Sequence, residues 1–101
     1  MRSRYTAYAT SSTAHLMATT HPMSPHFESD RSAWQRSLLE FCTRTDFLGL
    51  TVHSARQDAA RGWVHFTAHL RQAGQETPMT EYSEFWRVGD RWMYVRGISP
   101  P

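Results

Sequence analysis

A chain of 101 residues with a formal net charge of +2 is the size of one domain, residues 1–101, and makes no general electrostatic case for nucleic acid. It has no run of about 18 apolar residues, so no membrane span, and MRSRYTAYATSS lacks the apolar stretch of a secretory signal. Cys42 is the single cysteine, so one chain has no internal disulfide and no cysteine-based zinc site; the expected setting is cytoplasmic.

In chain order, residues 3–10 lack Gly and Pro and read as a helix with Tyr5, Tyr8 and Ala9 on one face. Ser11 and Ser12 interrupt it and cap a second helix over residues 13–20, anchored by Leu16 and Met17. His21-Pro22 ends that helix, because the residue before proline is pushed out of the helical region, and residues 22–29 read as a loop. Asp30 is a good N-cap for a third helix, in which Trp34, Leu38, Phe41 and Cys42 form one apolar stripe. Cys42 then reads as a small buried hydrophobe.

After Phe47 the period changes to two. Leu48, Leu50 and Val52 alternate with Gly49, Thr51 and His53 in a first strand. In a second strand, Val64, Phe66, Ala68 and Leu70 face a core and His65, Thr67 and His69 face away. Residues 72–78 read as a loop. Gly89-Asp90, between two runs rich in aromatic and β-branched residues, predicts a hairpin with a two-residue turn. Its register pairs Val88 with Arg91, Arg87 with Trp92, Phe85 with Tyr94 and Ser83 with Arg96. One face then carries Glu81, Ser83, Phe85, Arg87, Trp92, Tyr94 and Arg96, and the other Tyr82, Glu84, Trp86, Val88, Met93 and Val95. Helices followed by about four strands predict an α+β fold with helices packed on an antiparallel sheet.

The chain has no phosphate-cradling glycine loop, nucleophile elbow or HExxH. All eleven basic residues are arginine, spread from Arg2 to Arg96 rather than clustered, so no nucleic-acid partner is expected. His65 and His69 share a face at strand spacing, and His15, His21, His26 and His53 show no ligand spacing; no metal and no cofactor are expected. Glu81 is the leading catalytic candidate, since a carboxylate on a partly enclosed aromatic face suits a general base. The competing reading pairs it with Arg96, diagonally across the hairpin. His21 is a second acid/base candidate at a pocket mouth. Arg2, Arg4, Tyr5 and Tyr8 offer guanidinium and phenol groups to a ligand or to Glu81; otherwise the tyrosines pack on the sheet while the arginines stay solvated.

Met1-Arg2-Ser3-Arg4-Tyr5-Thr6-Ala7-Tyr8, His21-Pro22, Phe47-Leu48-Gly49-Leu50, Glu81-x-Ser83-x-Phe85 and Trp92-x-Tyr94-x-x-Gly97 together resemble the bacterial YchJ family, collinearly over nearly all of the chain. The resemblance implies a cone-like α+β fold similar to nuclear transport factor 2 and ketosteroid isomerase, in which helices and a curved antiparallel sheet enclose a cavity. It implies no established reaction. The family's flanking cysteine-rich SEC-C zinc segments are absent here, so its zinc association is not carried over. Thr20 stands where the family usually has Trp, and Arg96 where it usually has an acidic residue. Met1 coincides with an internal methionine of the family pattern, so the chain is expected to be a trimmed member or one with a misassigned start.

The leading expectation is a domain that binds a small organic ligand between helices and sheet, through Arg4, Tyr5, Tyr8, Glu81, Ser83, Phe85, Trp92 and Tyr94. One alternative is an acid/base enzyme of the isomerase, dehydratase or hydrolase type, with Glu81 or His21 as base. Another is a homodimer formed through the convex sheet face, where Trp63, Tyr82, Trp86 and Met93 would make the apolar patch.

Overall fold

The computed structural model describes residues 1–98. Three helices, α1 (Arg2–Ala9), α2 (Thr13–Ala18) and α3 (Arg31–Thr43), precede five strands, β1 (Thr45–Gln57), β2 (Arg61–Gln72), β3 (Gln75–Glu76), β4 (Met79–Val88) and β5 (Arg91–Ile98). The sheet is antiparallel, in the order β1-β2-β4-β5, with β3 paired to β2. The α+β order legible in the sequence is the observed one, with one short strand more than expected. That strand comes from Ala73 and Gly74, whose φ angles of 52° and 78° turn the chain tightly and pair Gln72 with Gln75.

Asp30 caps α3, accepting from the Ala33 N–H at 3.0 Å. The α3 stripe is inward as its spacing requires: Trp34 and Cys42 are buried, and Leu38 and Phe41 are partly so. On α1 the face differs from expectation. Ala9 is exposed, whereas Ala7 and Arg4 are buried, because Ala7 joins Leu16 and Cys42 in a small helix–helix cluster. Phe66, Ala68 and Leu70 form the main cluster on the sheet's inner face, with Tyr5, Phe41, Phe47 and Leu50 against it.

Two register shifts correct the alternation read from the sequence. In β1, Phe47 pairs with Leu70 but Gly49 pairs with His69, so Leu48 is a bulge residue and stands exposed instead of facing the core. In the hairpin, Phe85 faces Tyr94 as expected, but Glu84 faces Arg96 and Ser83 faces Gly97. Val95 is therefore the extra residue, fully buried rather than on the outer face. Beyond it the alternation inverts. Arg96 moves to the outer face over Trp86, and Gly97 comes under Glu81.

The hairpin turn takes φ +64° at Gly89, the positive angle that a first central residue adopts without penalty only as glycine. At the far edge, β5 is covered by residues 19–21: Tyr94 N–H donates to Thr19 O at 2.7 Å, and His21 N–H donates to Tyr94 O at 2.8 Å. This covering protects an otherwise open strand edge and ties the end of α2 to the middle of β5.

The outer face carries Trp63, Tyr82, Trp86 and Met93 together, as the period predicts, but not as a bare apolar patch. The Arg56 guanidinium lies 4.5 Å from the Trp63 ring centre, and those of Arg61 and Arg96 lie 5.8 Å from that of Trp86. Arg56 also donates to the Tyr82 hydroxyl at 3.3 Å. Arginines dispersed in sequence thus gather over the aromatics of one face.

Candidate functional site

Between the helices and the inner sheet face lies a cavity of about 470 Å³, within the size range of small-ligand sites. Its walls are aromatic and aliphatic: Tyr5 and Tyr8 from α1, Trp34, Leu38 and Phe41 from α3, and Phe47 and Phe66 from the sheet. Tyr8 meets Phe41 edge-on at 5.7 Å and stacks on Phe47 at 6.2 Å. Arg4, Glu81, Ser83, Tyr94 and Thr20 supply the polar lining, with His26 and Glu28 from the loop before α3.

Arg4 is buried, against the expectation of a solvated guanidinium. Its Nη1 donates to Leu16 O at 3.2 Å, Thr19 Oγ1 at 2.7 Å and Thr20 Oγ1 at 3.4 Å, and its guanidinium stacks 4.7 Å from the centre of the Tyr94 ring. These contacts offset the cost of a buried cation. Burial still holds Arg4 below the usual arginine range, with the neighbouring Tyr8 and Tyr94 opposing. Thr19, unremarkable in the sequence, and Thr20, noted there only as a departure from the family pattern, matter because the unwound end of α2 turns their oxygens toward α1.

Glu81 Oε2 accepts from Ser83 Oγ and, at 3.5 Å, from the Tyr94 hydroxyl. The pairing with Arg96 considered from the sequence does not form, because the Val95 bulge sends Arg96 to the opposite face. The carboxylate lies directly over Gly97, where an added Cβ would stand 2.3 Å from Oε1. Glycine at 97 is thus a space requirement of Glu81. Burial, and next the Glu81 carboxylate, push the Tyr94 phenol well above its ordinary range. Burial also raises the Tyr8 phenol, opposed by the Arg4 cation. The Met1 amino group at the cavity wall is pushed below its usual 8.0, chiefly by burial and then by Arg4 and Arg2.

Of the residues singled out from the sequence, the structure brings Arg4, Tyr5, Tyr8, Glu81, Ser83 and Tyr94 around this cavity. Four others are not there. Phe85 is four residues on from Glu81, about 13 Å along the strand, and with Trp92 it lines a separate recess at the turn end of the hairpin. There the Trp92 ring fits against Gly62, 3.4 Å from where a Cβ would sit. His21 packs against Trp86 at 4.9 Å, and its Nδ1 accepts from Met23 N–H; it is not at the cavity mouth. Arg2 is exposed. Trp34, Phe41 and Phe66, read simply as core, are cavity walls as well.

A family model described as "YchJ, middle NTF2-like domain" matches residues 1–97. The chain belongs to the YchJ family. Over 99% of its length it is 33% identical to a UPF0225 protein of Serratia proteamaculans and 35% identical to one of Yersinia pestis. It spans 64% of the length of each of these relatives. A SEC-C motif containing protein from Rhodopseudomonas palustris, solved in solution, has the same YchJ-type fold with a TM-score of 0.84 at 30% identity, covering 100% of this chain and 76% of that one. One from Psychrobacter arcticus shares the fold with a TM-score of 0.77 at 19% identity, over 95% of this chain and 56% of that one. In this YchJ middle domain the Glu81-x-Ser83 and Tyr94-x-x-Gly97 motifs meet at one point: carboxylate, its two hydroxyl donors and the glycine that makes room for it.

Proposed function

We propose that this YchJ middle domain binds a small organic molecule in the cavity between its helices and sheet. The observation behind it is an aromatic-walled cavity of about 470 Å³ lined at one end by the Arg4, Glu81, Ser83 and Tyr94 cluster. Apolar walls with a few convergent polar groups are the usual composition of such sites. A thermal-shift screen of metabolites on the purified chain, followed by a crystal structure with the best hit, tests it. A screen without a stabilising compound, together with a crystal structure in which side chains fill the cavity, would sink the idea.

Acid–base catalysis at the same cluster is a second reading, favoured by one observation: Glu81 takes hydroxyl donors rather than a closed ion pair. Glu81 would act as base and a tyrosine as hydrogen-bond donor. Glu81→Gln should then bind a turned-over ligand but lose turnover, and unchanged turnover would remove Glu81 from that role. A cytoplasmic setting goes with either reading, since the single cysteine is a free, buried thiol. Association of two copies through the outer sheet face is a separate proposal; a monomer by light scattering at high concentration would count against it.

A further inference from the structure

We infer that the outer face of the sheet, the side away from the cavity, is a docking surface for single-stranded nucleic acid. Three half-buried rings, Trp63, Tyr82 and Trp86, stand on it, and Arg56, Arg61 and Arg96 lie over or against them. Arginines dispersed along a chain make no case for such a partner. Strand pairing makes one, by drawing these three from β1, β2 and β5 to one place.

The register sets the spacing. Arg61 stands opposite Trp86, Trp63 opposite Glu84 and His65 opposite Tyr82, so Trp86, Trp63 and Tyr82 zigzag between β4 and β2. Each step moves one strand across and two residues along, about 8 Å. Successive bases of an extended strand stack on rings arranged in this way whatever their sequence. Arg56 is beside Trp63 on β1, and Arg96 is opposite Glu84 on β5. Cations thus flank the row of rings on both sides, where a backbone's phosphates would run.

Rings, not carboxylates, hold these guanidiniums. Among the described residues Arg56, Arg61 and Arg96 form no ion pair, and Arg56 donates only its Nε–H, to the neutral Tyr82 hydroxyl. Planar, donor-rich cations are left for phosphate oxygens. Two carboxylates stand near them. Glu84 accepts from the Trp86 indole N–H at 2.6 Å, and Asp58, in the β1–β2 turn, accepts from the Ala60 and Arg61 N–H groups. Arg91 and Asp90 offset each other at the hairpin turn, so three cations against two anions leave one net positive charge here. The other acids of this face, Asp46 and Glu76, lie with Arg71 near the far end of β2, about 25 Å from Trp63 and beyond the screening length. Attraction is therefore local, guanidinium to phosphate, and stacking supplies the rest. A second copy, the competing occupant, would set the same guanidiniums against one another in a two-fold contact. An acidic peptide would leave the rings unused.

The test adds the 101-residue chain to a fluorescein-labelled oligothymidylate of about twelve nucleotides and reads anisotropy. Three phosphate contacts give a salt slope of about −2, a loss of about tenfold to twentyfold between about 50 and 200 mM salt. Trp63→Ala and Trp86→Ala should each weaken binding at least about fivefold, the lower end for one lost base stack. Arg96→Gln should flatten the salt slope by about 0.7. Arg36→Gln, an equal change of charge at an exposed position of α3, should leave affinity within about twofold. No binding would overturn the inference, as would equal binding of duplex DNA or inorganic polyphosphate, which offer charge without unpaired bases. A loss in Arg36→Gln matching that in Arg96→Gln would overturn it too. Tighter binding of polyglutamate would assign the face to an acidic protein, and a light-scattering dimer that excludes the oligonucleotide would assign it to a second copy; either outcome overturns it. Should the tryptophan variants not fold, Arg96→Gln still decides, because it removes only an exposed cation.

Discussion

Gly97→Ala offers a direct test of how the site is assembled, because the space it needs is already occupied. A Cβ there would stand 2.3 Å from Glu81 Oε1, 2.6 Å from Cδ and 2.9 Å from Cγ. The first two atoms are the far end of a flexible side chain, so the carboxylate yields and the strand does not. The cost is then that of abandoning the Ser83 and Tyr94 hydroxyls. Hydrogen bonds to a charged group contribute about 1.5–3 kcal/mol; discounted for the partial exposure of Glu81, about 1–2 kcal/mol remains. In a domain of this size that lowers the melting temperature by about 5–15 °C. The control is the same change in a Glu81→Ala background. With no carboxylate to displace, alanine at 97 should be neutral or stabilise by up to about 1 kcal/mol through the lower entropy of the unfolded chain. Circular dichroism melts and urea titrations of the four proteins complete the cycle. Penalties agreeing within about 0.5 kcal/mol in the two backgrounds would refute the coupling and the role given to Gly97.

Tyr94 makes stability fall at high pH. Its phenol is raised above the ordinary 10.0 by burial and then by Glu81, so the unfolded chain ionises first. The contribution is complete below pH 10.0 and is lost as pH rises toward the folded value; denaturant titrations at rising pH should show a shallower decline in Tyr94→Phe. Asp58 acts at the acid end. Its carboxylate accepts from the Ala60 and Arg61 N–H groups, each at 2.8 Å, which holds it below the usual 3.8. Its contribution is complete above that value and lost as pH falls through the folded one, so Asp58→Asn should flatten the acid limb of the pH–stability curve. Asp30→Ala removes the α3 cap and should cost about 1 kcal/mol, read by urea denaturation, with Asp30→Ser recovering most of it.

Periodicity alone determined much of this molecule. The α3 stripe of Trp34, Leu38, Phe41 and Cys42, the β2 alternation through Phe66, Ala68 and Leu70, the Asp30 cap and the Gly89 turn depend on neighbours three, four or two residues away, or on one backbone angle. The chain itself supplies those distances. Quoted motifs also pointed to Arg4, Tyr5, Tyr8, Glu81, Ser83 and Tyr94, which do meet at one cavity. Tertiary structure decided the rest. The Val95 bulge leaves no mark on composition, yet a single extra residue inverts the face of everything after it. It carried Arg96 away from Glu81 and set Gly97 beneath the carboxylate. Phe85 and Trp92 lie toward the turn, because a strand places residues by length as well as by face, and His21, in the segment after α2, packs outward on Trp86. The burial of Arg4 required acceptors from Leu16, Thr19 and Thr20, a separate helix that only packing brings to it. Local spacing assigns residues to faces; which faces meet, and where one residue too many reverses them, is settled by long-range contacts.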